Sequence, residues 1–205
     1  MAQVIFCDFD GVIRHWDNQL LFETEESLNL PKGTTFKVAF AAENLIPAIT
    51  GKISDEQWRA NITLQLAQAI SPQDALTLTQ AWSNSPASID YHIFDLLNTL
   101  LPQAQLALVT NATSKLNADL AAHDLISRFD FIINSSEIGV SKPESGFFKL
   151  AVEMTGAKLE ESIFIDDSLR NVKSAEAFGL KSFHFDSRTG PNLLQKEVEK
   201  WLTKK

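Results

Sequence analysis

The chain has 205 residues, 44% of them hydrophobic and 21% charged with mixed signs, which is enough to bury a sizeable core and argues against a disordered or membrane-resident protein. Its formal net charge of -8 argues against nucleic acid as the main partner, and no apolar run is long enough to span a bilayer. Cys7 is the one cysteine, so no intramolecular disulfide can form, and with no basic-then-apolar leader pattern the expected location is cytoplasmic.

The first predicted element is a buried strand in "VIFCDFDGVI", Val4 to Ile13, an apolar run that ends in two aspartates. Apolar residues at helical spacing follow in "DNQLLFETEESLNLP", "GTTFKVAFAAENLIPAIT", "SDEQWRANITLQLAQAI" and "SPQDALTLTQAWS". Pro31, Gly51 and the pair Ser71 and Pro72 mark the joints, with Ser54 and Ser71 expected as N-caps. From about Ile89 the rhythm changes to short apolar runs ("QLALVT", "FDFIIN", "SIFID", "KSFHF") separated by amphipathic helices. That alternation predicts an α/β fold, a parallel sheet with helices on both faces. The expected division is a core of residues 1–14 and 86–205 interrupted by a small all-helical insert at 15–85.

Ligands of open parallel sheets bind at the carboxyl ends of the strands. There the first strand offers Asp8, Asp10 and Gly11, the second Thr110 and Asn111, the loop after the third Lys142, and the fourth Asp166, Asp167 and Ser168. Each group alone has an ordinary explanation. An Asp-x-Asp-Gly is a polar turn, "DDS" is a helix N-cap, and a lysine before proline is a solvated loop charge. An EF-hand register fails, because it puts Phe6 at the first ligand position and Asp17 in place of the bidentate Glu. Brought together on one sheet edge, four carboxylates would repel one another. A hard divalent cation is therefore implied, and oxygen ligands with room for water and phosphate suit Mg2+.

In "FCDFDGVI", "LVTNAT", "SKPESGFFKLAVEMTG" and "SIFIDDSLRNVKSAEAFGLKSFHF", in that order, the sequence resembles the haloacid dehalogenase superfamily of phosphohydrolases. The resemblance implies a Rossmann-like core, a helical cap inserted after the first motif, and Mg2+-dependent phosphoryl transfer from a small phosphorylated metabolite. It casts Asp8 as nucleophile and Asp10 as general acid/base. Thr110 and Asn111 would contact the phosphoryl group, Lys142 would neutralise it, and Asp8, the Asp10 main-chain carbonyl, Asp166 and Asp167 would hold the metal. Between the last two, Asp167 is expected as a direct ligand and Asp166 as direct or water-mediated.

Those residue types suit the chemistry. A carboxylate attacks a dianionic ester only after its charge is neutralised, and the alkoxide that leaves needs a proton. Dehalogenation expels halide and needs neither proton nor metal, so Asp10 argues for an ester. A phosphosugar mutase would use the same groups. A receiver-like phosphoaspartate domain places its acidic pair and its phosphorylated aspartate in the opposite order along the chain, and a non-catalytic relative would have lost motif residues. Arg14, His15, Lys52 and Arg59 are candidate substrate contacts for which a surface role is expected, and packing roles are expected for His92, His123 and His184.

Overall fold

The computed structural model describes residues 3–100, 104–186 and 191–202. The chain begins with β1 (Val4–Cys7), all four residues buried. An antiparallel ribbon of β2 (Arg14–Trp16) and β3 (Ala87–Ile89) then brackets five helices: α1 (Gln19–Ser27), α2 (Thr34–Ala39), α3 (Ala42–Ile49), α4 (Asp55–Leu66) and α5 (Pro72–Ser83). The remainder alternates through α6 (Tyr91–Leu100), β4 (Gln105–Thr110), α7 (Leu116–Ala122), β5 (Phe131–Asn134), the short α8 (Ser135–Ile138), α9 (Ser145–Thr155), β6 (Ser162–Asp166), α10 (Leu169–Phe178), β7 (Lys181–His184) and α11 (Pro191–Leu202).

Five strands pair in parallel in the order β5-β4-β1-β6-β7, which makes the fold α/β with a Rossmann-like core. Successive side chains of a strand point to opposite faces, and the core divides accordingly. Ile5 and Cys7 of β1 pack with Leu108, Ile163 and Ile165 and with Ile93, Phe94 and Leu194 from α6 and α11. Val4 and Phe6 face the other way, against Ala107, Phe164, Phe147, Phe148 and Val172 on the side of α9 and α10. With β1 in the centre, Cys7 lies level with Leu108 on one side and Ile165 on the other, so β6 runs one residue and β4 two residues beyond β1 at the same edge. The chain reverses its direction of travel across the sheet at β1, and such a point opens a crevice at the carboxyl edge.

The five inserted helices have an apolar centre of their own, built from Leu21, Trp58, Ile62, Leu66, Ala75 and Leu78. Ser54 and Ser71 cap α4 and α5 as expected. Ser54 Oγ accepts from Gln57 N while Gln57 Oε1 accepts from Ser54 N, and Ser71 Oγ accepts from Asp74 N.

Two features depart from the sequence expectation. The insert joins the core through the β2–β3 ribbon rather than directly, and the stretch 33–50 is two helices broken at Phe40 and Ala41. The insert also interlocks with the core. Gly51, at φ +70, lies so close to the Ser136 carbonyl that a Cβ there would overlap it. Among the described residues no helix is long and apolar enough to cross a membrane.

Candidate active site

Asp8 is the first residue past β1, its main-chain N–H donating to the Ile165 carbonyl of β6 at 2.9 Å. This bond extends the sheet by one residue and holds the carboxylate at the carboxyl edge, 7% exposed. Asp8 Oδ1 accepts from the Phe9 N–H at 2.7 Å and lies 2.9 Å from Lys142 Nζ. The same ammonium donates to Asp166 Oδ2 at 2.7 Å and to the Val109 carbonyl at 2.9 Å. Its three N–H groups are thus all engaged, which is what a buried ammonium requires.

Asp166, fully buried, is bound on both oxygens: Oδ1 accepts from Ser168 N and Asn171 Nδ2, and Oδ2 from Lys142 and Asn171. Asp167 points its side chain toward Gly11, where a Cβ would overlap the carboxylate, and its carbonyl accepts from His184 Nε2 at 2.8 Å. Gly11 has φ +86, so the residue after Asp10 is glycine for conformation as well as for space.

Burial dominates the electrostatics. It pushes the Asp8 carboxyl well above the ordinary carboxylate range, opposed by Lys142 and reinforced by Asp166. For Lys142 burial acts downward, but Asp8 and Asp166 outweigh it and its value is raised. Burial, then the charge of Asp166, raises Asp167. Burial, then the charge of Asp8, pushes the Cys7 thiol up, away from the thiolate form.

The residues fit a divalent cation. Asp8, Asp166 and Asp167 each offer a carboxylate oxygen within 4.8 Å of the others, a set of hard oxygen donors whose charge Lys142 alone does not balance.

Asp10 stands at the mouth of the site with its side chain 40% exposed. Its carboxylate accepts from Arg14 Nε at 2.7 Å, from Arg14 Nη2 at 2.9 Å and from Trp16 Nε1 at 2.7 Å. Arg14 lies between the rings of Phe9 and Trp16, 4.4 and 4.5 Å from their centroids, and donates from Nη1 to Asp119 at 2.8 Å. The surface role expected for Arg14 is therefore wrong: it is 5% exposed and holds Asp10.

Thr110 ends β4, buried at the same edge. Asn111 spends its side-chain amide on the Lys142 main chain, Oδ1 accepting from its N–H and Nδ2 donating to its carbonyl, both at 2.8 Å. Lys52 is exposed and His15 half-buried, and neither lines the adjoining cavity, whereas Arg59 does, paired to Asp55. His92 and His184 are exposed, which overturns the packing role expected for them, and His123 is half-buried.

The structure adds residues that sequence spacing does not single out. Asp55, buried at the start of α4, accepts from Thr113 Oγ1 at 2.8 Å and donates its N–H to Ser114 Oγ at 3.0 Å, tying the insert to the loop after β4. Asn171 donates to Asp166 and Trp16 to Asp10, while Asp119 anchors Arg14. Only Asn171 had a local signal, a polar residue in the first turn of a helix that begins at the "DDS" motif.

The site is thus a set of carboxylates around a buried lysine on the carboxyl edge of a parallel sheet, next to an inserted helical layer, and its class is that of a hydrolase by family. The chain belongs to the haloacid dehalogenase-like hydrolases, whose family model matches residues 40–185. A curated relative, bifunctional epoxide hydrolase 2 of Rattus norvegicus, is 28% identical over 187 residues, 83% of this chain and 32% of the rat protein, so the chain spans about a third of that relative's length. A HAD family enzyme from Bacteroides thetaiotaomicron, solved in complex with magnesium and inorganic phosphate, is 21% identical with a TM-score of 0.68 over 90% of this chain and 94% of that one. L-2-haloacid dehalogenase from Xanthobacter autotrophicus is 19% identical with a TM-score of 0.63 over 97% and 83%. At these identities the likeness to the solved structures concerns the fold.

Proposed function

We propose that this hydrolase is a Mg2+-dependent phosphatase of small phosphate monoesters, acting through an aspartyl-phosphate on Asp8. The observation that carries it is the Lys142 ammonium held between Asp8 and Asp166 at the carboxyl edge, 2.9 and 2.7 Å away, with a further carboxylate, Asp10, oriented by Arg14 at the mouth of the site. The Bacteroides enzyme's complex with magnesium and phosphate supports the same chemistry on this fold.

With Oδ1 of Asp8 bound to Phe9 N and Lys142, Oδ2 is the oxygen left to attack phosphorus. Attack forms the Asp8–phosphoryl bond and breaks the bond to the ester oxygen. Asp10 donates a proton to that leaving oxygen, then takes one from the water that hydrolyses the aspartyl-phosphate, which returns both carboxylates to their starting state. Arg14 and Trp16 orient Asp10 for both transfers, and Asn111 fixes the backbone that carries Lys142.

Asp8 and Asp167, with Asp166 directly or through water, would hold Mg2+, which when bound neutralises phosphate charge as a Lewis acid. The availability of Asp167, set against the four hydrogen bonds on Asp166, supports Asp167 as the direct ligand. The helices between residues 19 and 83 serve as a cap over the site. The substrate is a small phosphorylated metabolite rather than nucleic acid or a membrane, in keeping with the net charge of -8 and with a cytoplasmic protein.

Dehalogenation shares the fold, but a halide leaving group has no use for a carboxylate as firmly oriented as Asp10. The test is phosphate release from a panel of monoesters with and without Mg2+, alongside chloride release from 2-chloropropionate. Mg2+-dependent phosphate release that Asp10→Asn slows by about 10²- to 10⁴-fold is expected. Chloride release by the metal-free protein would overturn the proposal.

A further inference from the structure

We infer that the leaving group of the preferred substrate is an apolar alcohol, so that the substrate class is monophosphates of hydrocarbon or aromatic alcohols. The inference rests on the phosphatase reading of the site. A cavity of about 490 Å³ begins at Asp10 and Asn111, the residues flanking Asp8 and Lys142, and runs up into the inserted helices. Its volume is that of a site for a small organic molecule. An ester whose phosphate lies at Asp8 must place its alcohol portion in this space.

The upper wall is hydrocarbon and aromatic: Phe36, Phe40, Leu45, Ile49, Trp58 and Trp82. The rings touch one another, with Phe36 to Phe40 at 5.5 Å, Phe40 to Trp58 and to Trp82 at 6.3 Å, and Trp58 to Trp82 edge-on at 5.0 Å. Phe40 is nonetheless 51% exposed, an apolar surface left uncovered beside the cavity.

The charged side chains on the wall are already matched. Arg59 pairs with Asp55, Arg14 with Asp10 and Asp119, and Lys115 with Asp119. Each of these cations already has a carboxylate partner, and Ser85, Asn111 and Thr113 are hydrogen-bonded within the protein, so a sugar's hydroxyls would lose water against six apolar side chains with Asn18 and Ser83 as the neutral polar groups to meet. An alkyl or aryl group loses nothing polar there and covers the exposed face of Phe40.

The experiment is a Mg2+-supplemented kinetic series on the full chain, comparing ethyl, butyl, hexyl and octyl phosphate with glycerol 3-phosphate and glucose 6-phosphate. The expected result is kcat/KM rising with chain length, by up to about fourfold per methylene, and every ester from hexyl upward exceeding both polar substrates. A Phe40→Asp variant, altered at a half-exposed position, is expected to cut the octyl-to-ethyl ratio of kcat/KM at least tenfold. Phosphate release that is independent of chain length, or greatest for the polar esters, overturns this inference and leaves the phosphatase standing. No phosphate release from any ester overturns the phosphatase and the inference together.

Discussion

Arg14 grips Asp10 with both arms of its guanidinium, Nε to Oδ1 at 2.7 Å and Nη2 to Oδ2 at 2.9 Å, across a turn of four residues. The general acid/base proposed for this site is therefore not a free carboxylate at a pocket mouth. It is fixed by a buried cation that is itself stacked between Phe9 and Trp16 and anchored on Asp119. Arg14→Lys keeps the charge and loses the planar fork, which lysine cannot reproduce. The expected outcome is a kcat lowered by about 10- to 100-fold, a part of the full general acid/base contribution, with KM little changed. Steady-state kinetics on the purified variant check it, and an unchanged kcat would show that Asp10 needs no such orientation.

Lys142 separates two buried carboxylates, so Lys142→Met leaves Asp8 and Asp166 facing each other without a cation. Removing one member of a buried charge cluster costs about 3–5 kcal/mol. Thermal unfolding of the variant without metal should show that loss. Saturating Mg2+ should recover part of it, because a ligand that binds only the folded state stabilises that state by mass action.

Gly11→Ala tests the placement of Asp167. The added methyl overlaps the Asp167 carboxylate and also meets an unfavourable φ of +86. Displacing a group proposed to hold the metal is expected to weaken Mg2+ binding by about 10- to 100-fold, measured by calorimetry. Equal affinity in the variant would remove Asp167 from the metal site.

The pH dependence follows from Asp8, whose carboxyl burial raises above its unfolded value of 3.8. Folding then favours the protonated form. In the metal-free protein the stability from this group is fully present below the unfolded value and is lost as pH rises through the raised one. Cation binding needs the carboxylate, so the rise in Tm on adding Mg2+ should grow with pH across that window. A Mg2+-induced rise in Tm that is flat with pH would contradict the assignment of Asp8 as a metal ligand.

The parallel core is legible in the sequence because its strands, buried on both faces, are short continuous apolar runs, and because Asp8, Thr110 and Asp166 each close such a run. The same logic locates Lys142, which reaches the edge from the loop between α8 and α9. What the sequence conceals is contact made across long separations. Arg14 reads as a polar residue following a turn, and its burial depends on Asp119, 105 positions further on. Asp55 reads as an ordinary first-turn acid of α4, and only folding brings it to Thr113, 58 positions away. The β2–β3 ribbon has three residues in each strand, too few for a period-two pattern to register. Asn111 follows the strand end that the sequence marks, but the engagement of its side chain with the backbone of Lys142 spans 31 positions and has no local signal.

The central claim is that Asp8 carries the phosphoryl group during turnover. Acid-quenching the Mg2+-loaded protein while it hydrolyses a monoester, followed by peptide mass spectrometry, tests this directly. The account predicts a phosphoryl group on the peptide spanning Asp8, absent from Asp8→Asn. Turnover with the phosphoryl group on another residue, or undiminished phosphate release by Asp8→Asn, would contradict it.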